Sequence, residues 1–223
     1  MNDILARYVP FYNGDGKDLF FTMVKKHFPL KYRLIIDIHD EVEEVFDRSG
    51  IIRLSGESYS AHLRRTAMIN VDVRLRSRGR YGLDYLDVIF AIHHETLEDL
   101  KGLNGYSLIF FKKTFGEKFT TDLLSVSNTE VDGIIFRTKE MADKDSYRRV
   151  ANAGLRPQIF KPCDRLDFFL DCHSVSKEAI ADKARKTRQY LMEIAWKLNI
   201  LPRELEMAML IAEGGVVPIS NAT

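Results

Sequence analysis

Asp84-Tyr85-Leu86-Asp87-Val88-Ile89-Phe90-Ala91-Ile92-His93-His94-Glu95-Thr96-Leu97-Glu98-Asp99-Leu100 is the stretch on which the fold reading turns. Leu86, Val88, Ile89, Ile92 and Leu97 recur at helical spacing, and Asp84 or Asp87 can cap the start. Ionisable side chains then crowd in at His93, His94, Glu95, Glu98 and Asp99. A helix entering the core through Val88–Ile92 should not next bury His-His-Glu without a partner, because unpaired buried charge is costly. A bound cation resolves that cost; a solvated, charged helix end is the alternative. Neighbouring residues on a helix point about 100° apart, so His94 and Glu95 reach one ion only beside a helix end or kink. Glu98 and Asp99 lie one turn on, back on the same face.

Helical period continues on both sides. Tyr59 to Val73 carries Ala61, Leu63, Ala67, Met68 and Val71. Arg156-Pro157 suits the first turn of a helix running through Leu170. Ser174 or Ser176 can cap a long helix from Lys177 to Leu198, and Pro202 opens a last helix, Arg203 to Ala212, before Gly214-Gly215. Tyr32 to Ile38 reads as strand or helix, and Asp132-Gly133-Ile134-Ile135-Phe136 as a small hairpin arm. The expected fold is all-α: a compact bundle core over 49–200, a helical extension 1–48 packed on it, and a C-terminal helix and tail, 201–223.

The chain has 223 residues, 45% hydrophobic and 29% charged, which suits one globular domain. Cys163 and Cys172 form no CxxC or ribbon spacing, so no disulfide framework is expected, and a reducing cytoplasm is the expected compartment. The N-terminus lacks a basic stretch followed by an apolar run, and no window nears the ~20 apolar residues of a membrane span. A net charge of +1 gives no reason to expect a nucleic-acid partner. The arginines of Arg74-Leu75-Arg76-Ser77-Arg78-Gly79-Arg80 could meet phosphates, but read better as a solvated loop.

Two further segments carry chemistry: His62 in Gly56-Glu57-Ser58-Tyr59-Ser60-Ala61-His62, and Lys161-Pro162-Cys163-Asp164-Arg165-Leu166. Imidazoles and carboxylates together suit manganese, iron or zinc better than calcium, and leave positions for water and substrate.

These segments resemble motifs of the RelA/SpoT-type alarmone hydrolases, a branch of the HD superfamily of helical phosphohydrolases. Gly56 to His62 is similar to S-G-E-P-Y-x-x-H-P, and His94-Glu95-Thr96-Leu97-Glu98-Asp99 to H-D-T-V-E-D. Phe115-Gly116-Glu117-Lys118-Phe119 with Leu123 to Ser127 resembles F-G-E-x-V…L-V-x-G-V-T. Lys161 to Asp167 resembles K-x-x-D-R-L-x-N, and Lys183-Ala184-Arg185-Lys186-Thr187-Arg188 the K-A-x-K-T-R-E that follows. The pieces keep the family's order over roughly residues 45–200. The resemblance implies that His62, His94, Glu95 and Asp164 hold one divalent metal, manganese first, with iron, zinc or magnesium as alternatives. It implies that Glu98 and Asp99 position and deprotonate the attacking water, and that Arg53 contacts the nucleotide. It also implies removal of a 3′-pyrophosphate from guanosine tetra- or pentaphosphate, the reaction of small alarmone hydrolases in the stringent response.

Departures fall at one implied ligand and in the first motif as well as in the nucleoside pocket. Glu95 replaces an aspartate, Ser58 and Leu63 replace prolines, and Leu54 stands where a nucleotide-contacting lysine is expected. Phe168 and Asp171 stand at the asparagine and threonine of D-R-L-x-N-x-x-T. Phe168 can stack on a base or ribose, whereas Asp171 would repel phosphate. Arg148, in Tyr147-Arg148-Arg149, and Arg165 are candidate phosphate contacts; Lys161 is read as structural. His93 is expected beside the site, His173 in a loop, and His27 and His39 structural or exposed. Cys163 and Trp196 are expected in the core. Alternatives are another nucleotide substrate (NADPH, a deoxynucleotide or a cyclic nucleotide) or a non-catalytic nucleotide-binding protein.

Overall fold

The computed structural model describes residues 3–53, 55–100, 102–127 and 138–214. Among them no strand forms, and the single backbone bridge joins Ile52 to Ser58. The helices are α1 (Asp3–Ala6), α2 (Lys17–His27), α3 (Tyr32–Ser49), α4 (Tyr59–Arg76), α5 (Tyr85–His93), α6 (Thr96–Asp99), α7 (Leu108–Phe115), α8 (Glu117–Val126), α9 (Lys139–Asn152), α10 (Leu155–Leu170), α11 (Lys177–Lys186), α12 (Met192–Leu198) and α13 (Pro202–Glu213). The chain is an all-α bundle, as the apolar period predicts. The hairpin expected over 132–136 lies outside the described residues.

Helix starts are chemically marked. Ser58, Ser107, Thr138 and Ser176 each accept a backbone N–H from three residues on, a cap worth about 1 kcal/mol. Asp84 and Asp87 form a capping box at the start of α5. Tyr32 to Ile38 resolves as helix because Ile35, His39, Val42 and Phe46 extend its apolar stripe inward. The expected helix from Lys177 to Leu198 is interrupted by a π-helical segment, Thr187–Leu191, where Tyr190 stacks on Tyr147 at 5.2 Å.

Helix α4 runs through the middle. Ser60 to Val71 are all buried, with α2, α3, α5 and α10 packed around them. One apolar cluster joins α2 and α3 to α4, α5, α7 and α8 through Phe20, Val42, Leu63, Ile89, Phe111 and Phe119. A second joins the chain start to α4, α10 and α13 through Leu5, Tyr8, Ile69, Leu166 and Leu205.

Two expectations need correction. Arg74 and Arg76 belong to the last turn of α4, not to a solvated loop: Arg74 is buried against Asp87 at 3.1 Å, and Arg76 bonds Asp72 at 2.8 Å. Only Arg78 and Arg80 of that run lie beyond the helix and exposed. Trp196 is 49% exposed: stepped at about 100° per residue from the buried Ile180, Thr187 and Leu191, it falls roughly opposite their stripe. Among the described residues no helix is long and apolar enough to cross a membrane.

Candidate metal centre and its cleft

Helix α5 ends at His93, and Glu95 begins the short α6. This break lets the adjacent His94 and Glu95 turn to one point. His62 arrives from the first turn of α4 and Asp164 from the middle of α10. One donor atom from each of the four lies within 4.8 Å of the others, a group that could hold a metal ion. His62 Nε2 and His94 Nε2 are 3.1 Å apart. Glu95 Oε1 is 3.2 Å from His94 Nε2, and Asp164 Oδ1 is 3.5 Å from His62 Nε2. Donors about 2.1 Å from a shared ion stand roughly 3.0 to 3.4 Å apart, depending on geometry. The spacings fit.

The hydrogen bonds behind the imidazoles fit as well. His62 Nδ1 donates to Asp167 Oδ2 at 2.7 Å and His94 Nδ1 to Ala91 O at 2.7 Å. Both Nε2 atoms therefore present lone pairs to each other, an arrangement that calls for a proton or a cation between them. Burial opposes charge on His94, yet Glu95 and Asp164 push its pKa up to about 9. Burial likewise opposes the charges of Glu95 and Asp164, but His94 and Lys161 respectively hold them well below the usual carboxylate range. Lys161 bonds Asp164 Oδ2 at 2.9 Å and the Val126 carbonyl at 3.3 Å, the structural role expected of it.

A cleft of about 330 Å³ opens over this group. Arg53, Glu98, Asp99, Arg165, Phe168 and Asp171, all singled out from sequence, line it. Burial and the charge of Glu95 raise the Asp99 carboxyl, which accepts a hydrogen bond from the Tyr59 hydroxyl. Arg165 is 5% exposed; its Nη2 bonds the Tyr147 hydroxyl at 2.8 Å while its Nε has no partner. The neighbouring Arg165 charge, then burial, then Lys161 bring the Lys183 ammonium down to about 7. Lys183 Nζ and the Arg165 guanidinium both lie over the Phe168 ring, at 5.3 and 6.0 Å. Cations are thus collected at one wall of the cleft.

Asp171 accepts from Arg65 Nη2 at 3.1 Å, and burial with a hydrogen bond to Glu57 raises its pKa to about 7. The raised carboxyl and its Arg65 partner both soften the repulsion expected of an added aspartate. Arg148 is not brought to the cleft: it is exposed and pairs with Asp145 at 2.7 Å. Its helix supplies Asp143, Ser146 and Tyr147 instead. Leu54 lies outside the described residues.

No protein-family model matches this chain, and no curated protein matches its sequence.

Sequence reasoning assigned no site role to Tyr59, Lys183 or Lys186, although Lys183 and Lys186, three apart on a helix, share a face. His93 is a core residue packed against Tyr106 and Phe111, with burial holding its pKa down at about 3. His173 sits in a loop, and Cys163 is buried, as expected. His39, Asp40 and Glu43 form a second group of potential ligands. Arg64 Nη1 already lies 3.2 Å from His39 Nε2 and 2.7 Å from Glu43, and Lys17 pairs with both carboxylates. That group is neutralised by the protein itself.

Proposed function

We propose that this chain is a metal-dependent phosphohydrolase acting on a nucleotide, close in chemistry to the alarmone hydrolases its motifs resemble. The observation that carries the reading is the pairing of His62, His94, Glu95 and Asp164 with the cation-rich wall of the same cleft. A divalent cation, manganese by preference, would lower the pKa of a water and offset phosphate charge there. Asp99, its carboxyl raised, would take a proton from water, with Glu98 lining the same cleft. Lys183 and Arg165, both on the cleft wall, would hold phosphate oxygens. Phe168 and Tyr59 offer ring surfaces to a base or ribose. Water attack at phosphorus would release pyrophosphate or phosphate.

A second reading keeps this chemistry and changes the nucleotide. It is favoured by Asp171, which stands where the resemblance expects a threonine and is tied to Arg65 and Glu57 while lining the same cleft as Phe168. Incubating the chain with manganese against guanosine tetraphosphate, NADPH and a nucleotide panel separates the two. Release of GDP and pyrophosphate, lost in a Glu98→Gln, Asp99→Asn variant, is the expected outcome. Turnover of a different nucleotide selects the second reading. Metal uptake without any turnover would leave a nucleotide-binding protein and remove the hydrolase.

A further inference from the structure

The beginning of the chain reaches the metal centre. Tyr12, at the end of the 3-10 turn Val9–Tyr12, donates its hydroxyl to Asp167 Oδ1 at 2.7 Å. Its ring lies on the Arg65 guanidinium, 4.5 Å from centroid to carbon. Arg65 Nε donates to the same Asp167 oxygen at 2.7 Å, and Arg65 Nη2 reaches Oδ2 at 3.4 Å. His62 Nδ1 completes the set on Oδ2. Tyr12, Arg65, Asp167 and His62 are all buried.

A carboxylate receiving four donors is held as an acceptor. An accepting Asp167 fixes the His62 proton on Nδ1, so that Nε2 keeps its lone pair toward His94, Glu95 and Asp164. The packing explains why the first residues can do this. Leu5, Tyr8 and Tyr12 are buried in one cluster with Ile69 and Val73 of α4 and Cys163 and Leu166 of α10. Those two helices supply His62 and Asp164.

We infer that Tyr12 and Arg65 are positioning residues for the metal centre, acting through Asp167 on the orientation of His62, so that the chain's first turns set its cation affinity. The inference rests on the metal reading above. Loss of a supporting partner behind a metal-bound histidine typically costs 10- to 100-fold in affinity.

The test is manganese affinity of the full chain by chelator competition, with apo melting temperatures recorded alongside. Tyr12→Phe keeps the ring on Arg65 and removes only the hydroxyl. It is expected to weaken manganese binding by about tenfold. Tyr8→Phe is the control, since Tyr8 is equally buried and its hydroxyl bonds Arg76 Nη2 at 2.9 Å, outside the Asp167 network. It should leave manganese affinity unchanged. Equal affinity in wild type and Tyr12→Phe overturns the inference while sparing the metal reading. Equal weakening in both variants also overturns it, because general loosening of the N-terminus would then be the cause. Absence of manganese binding in the wild type, matching His62→Ala, removes the metal reading and this inference with it.

Discussion

Lys183 carries its charge at a cost to the fold, one that an anion bound at the cleft wall would offset. Its ammonium faces Arg165 and Lys161 in a largely buried position, and its pKa falls to about 7 from the ordinary 10.5. The destabilisation is fully present below pH 7, where folded and unfolded chains both carry the proton, and fades as pH rises toward 10.5. Lys183→Met should therefore raise stability by roughly 1–3 kcal/mol at pH 6 and by much less at pH 10, read from denaturation midpoints. The same substitution should weaken inorganic pyrophosphate binding. In the wild type that binding should decline as pH climbs from 6 to 8, since the ammonium discharges in this range; Lys183→Arg should flatten the profile.

At the scale of the helix, continuity and interruption both matter. The break between α5 and α6 aims His94 and Glu95 together, while the capping box of Asp84 and Asp87 fixes where α5 begins. Asp87 also anchors Arg74 at 3.1 Å and Arg156 at 2.9 Å, joining α4, α5 and α10. Asp87→Ala should cost about 3–5 kcal/mol in chemical denaturation, because two cations lose a buried partner. Most helices could be read from apolar spacing and caps, and a need for a partner beside His94 and Glu95 from the His-His-Glu run; that His62 and Asp164 join them came only from the motif resemblance. The supporting pairs were also within reach: Arg65 is three residues after His62 and Asp167 three after Asp164, so each shares a face with its ligand. What no local pattern reveals is the π-helical segment Thr187–Leu191, which interrupts the last long helix.

Across the whole molecule, α4, like α10 and α12, contributes to both apolar clusters, and it carries His62 near its start. Tyr12 and Asp167 meet across 155 positions of sequence, a contact that only the folded packing creates; hence the sequence marked the N-terminal segment as helical and left its part in the site invisible. Removing residues 1–13 should expose the sites of Leu5, Tyr8 and Tyr12. It should lower stability by roughly 4–8 kcal/mol, an upper figure from buried apolar area, visible as a lower urea midpoint.

The partnerless Nε of Arg165, beside Lys183, has a practical consequence for finding the natural ligand. With no ligand bound, like charges face one another across the cleft wall, and an anion settling there relieves that repulsion as well as making its own contacts. Ligand binding stabilises a folded chain by RT ln(1 + L/Kd), with L the free ligand concentration, so at a fixed concentration the melting point rises with affinity. A library of phosphorylated metabolites ranked by thermal protection, with manganese present, should therefore sort itself by how many negative charges each compound brings to Arg165 and Lys183.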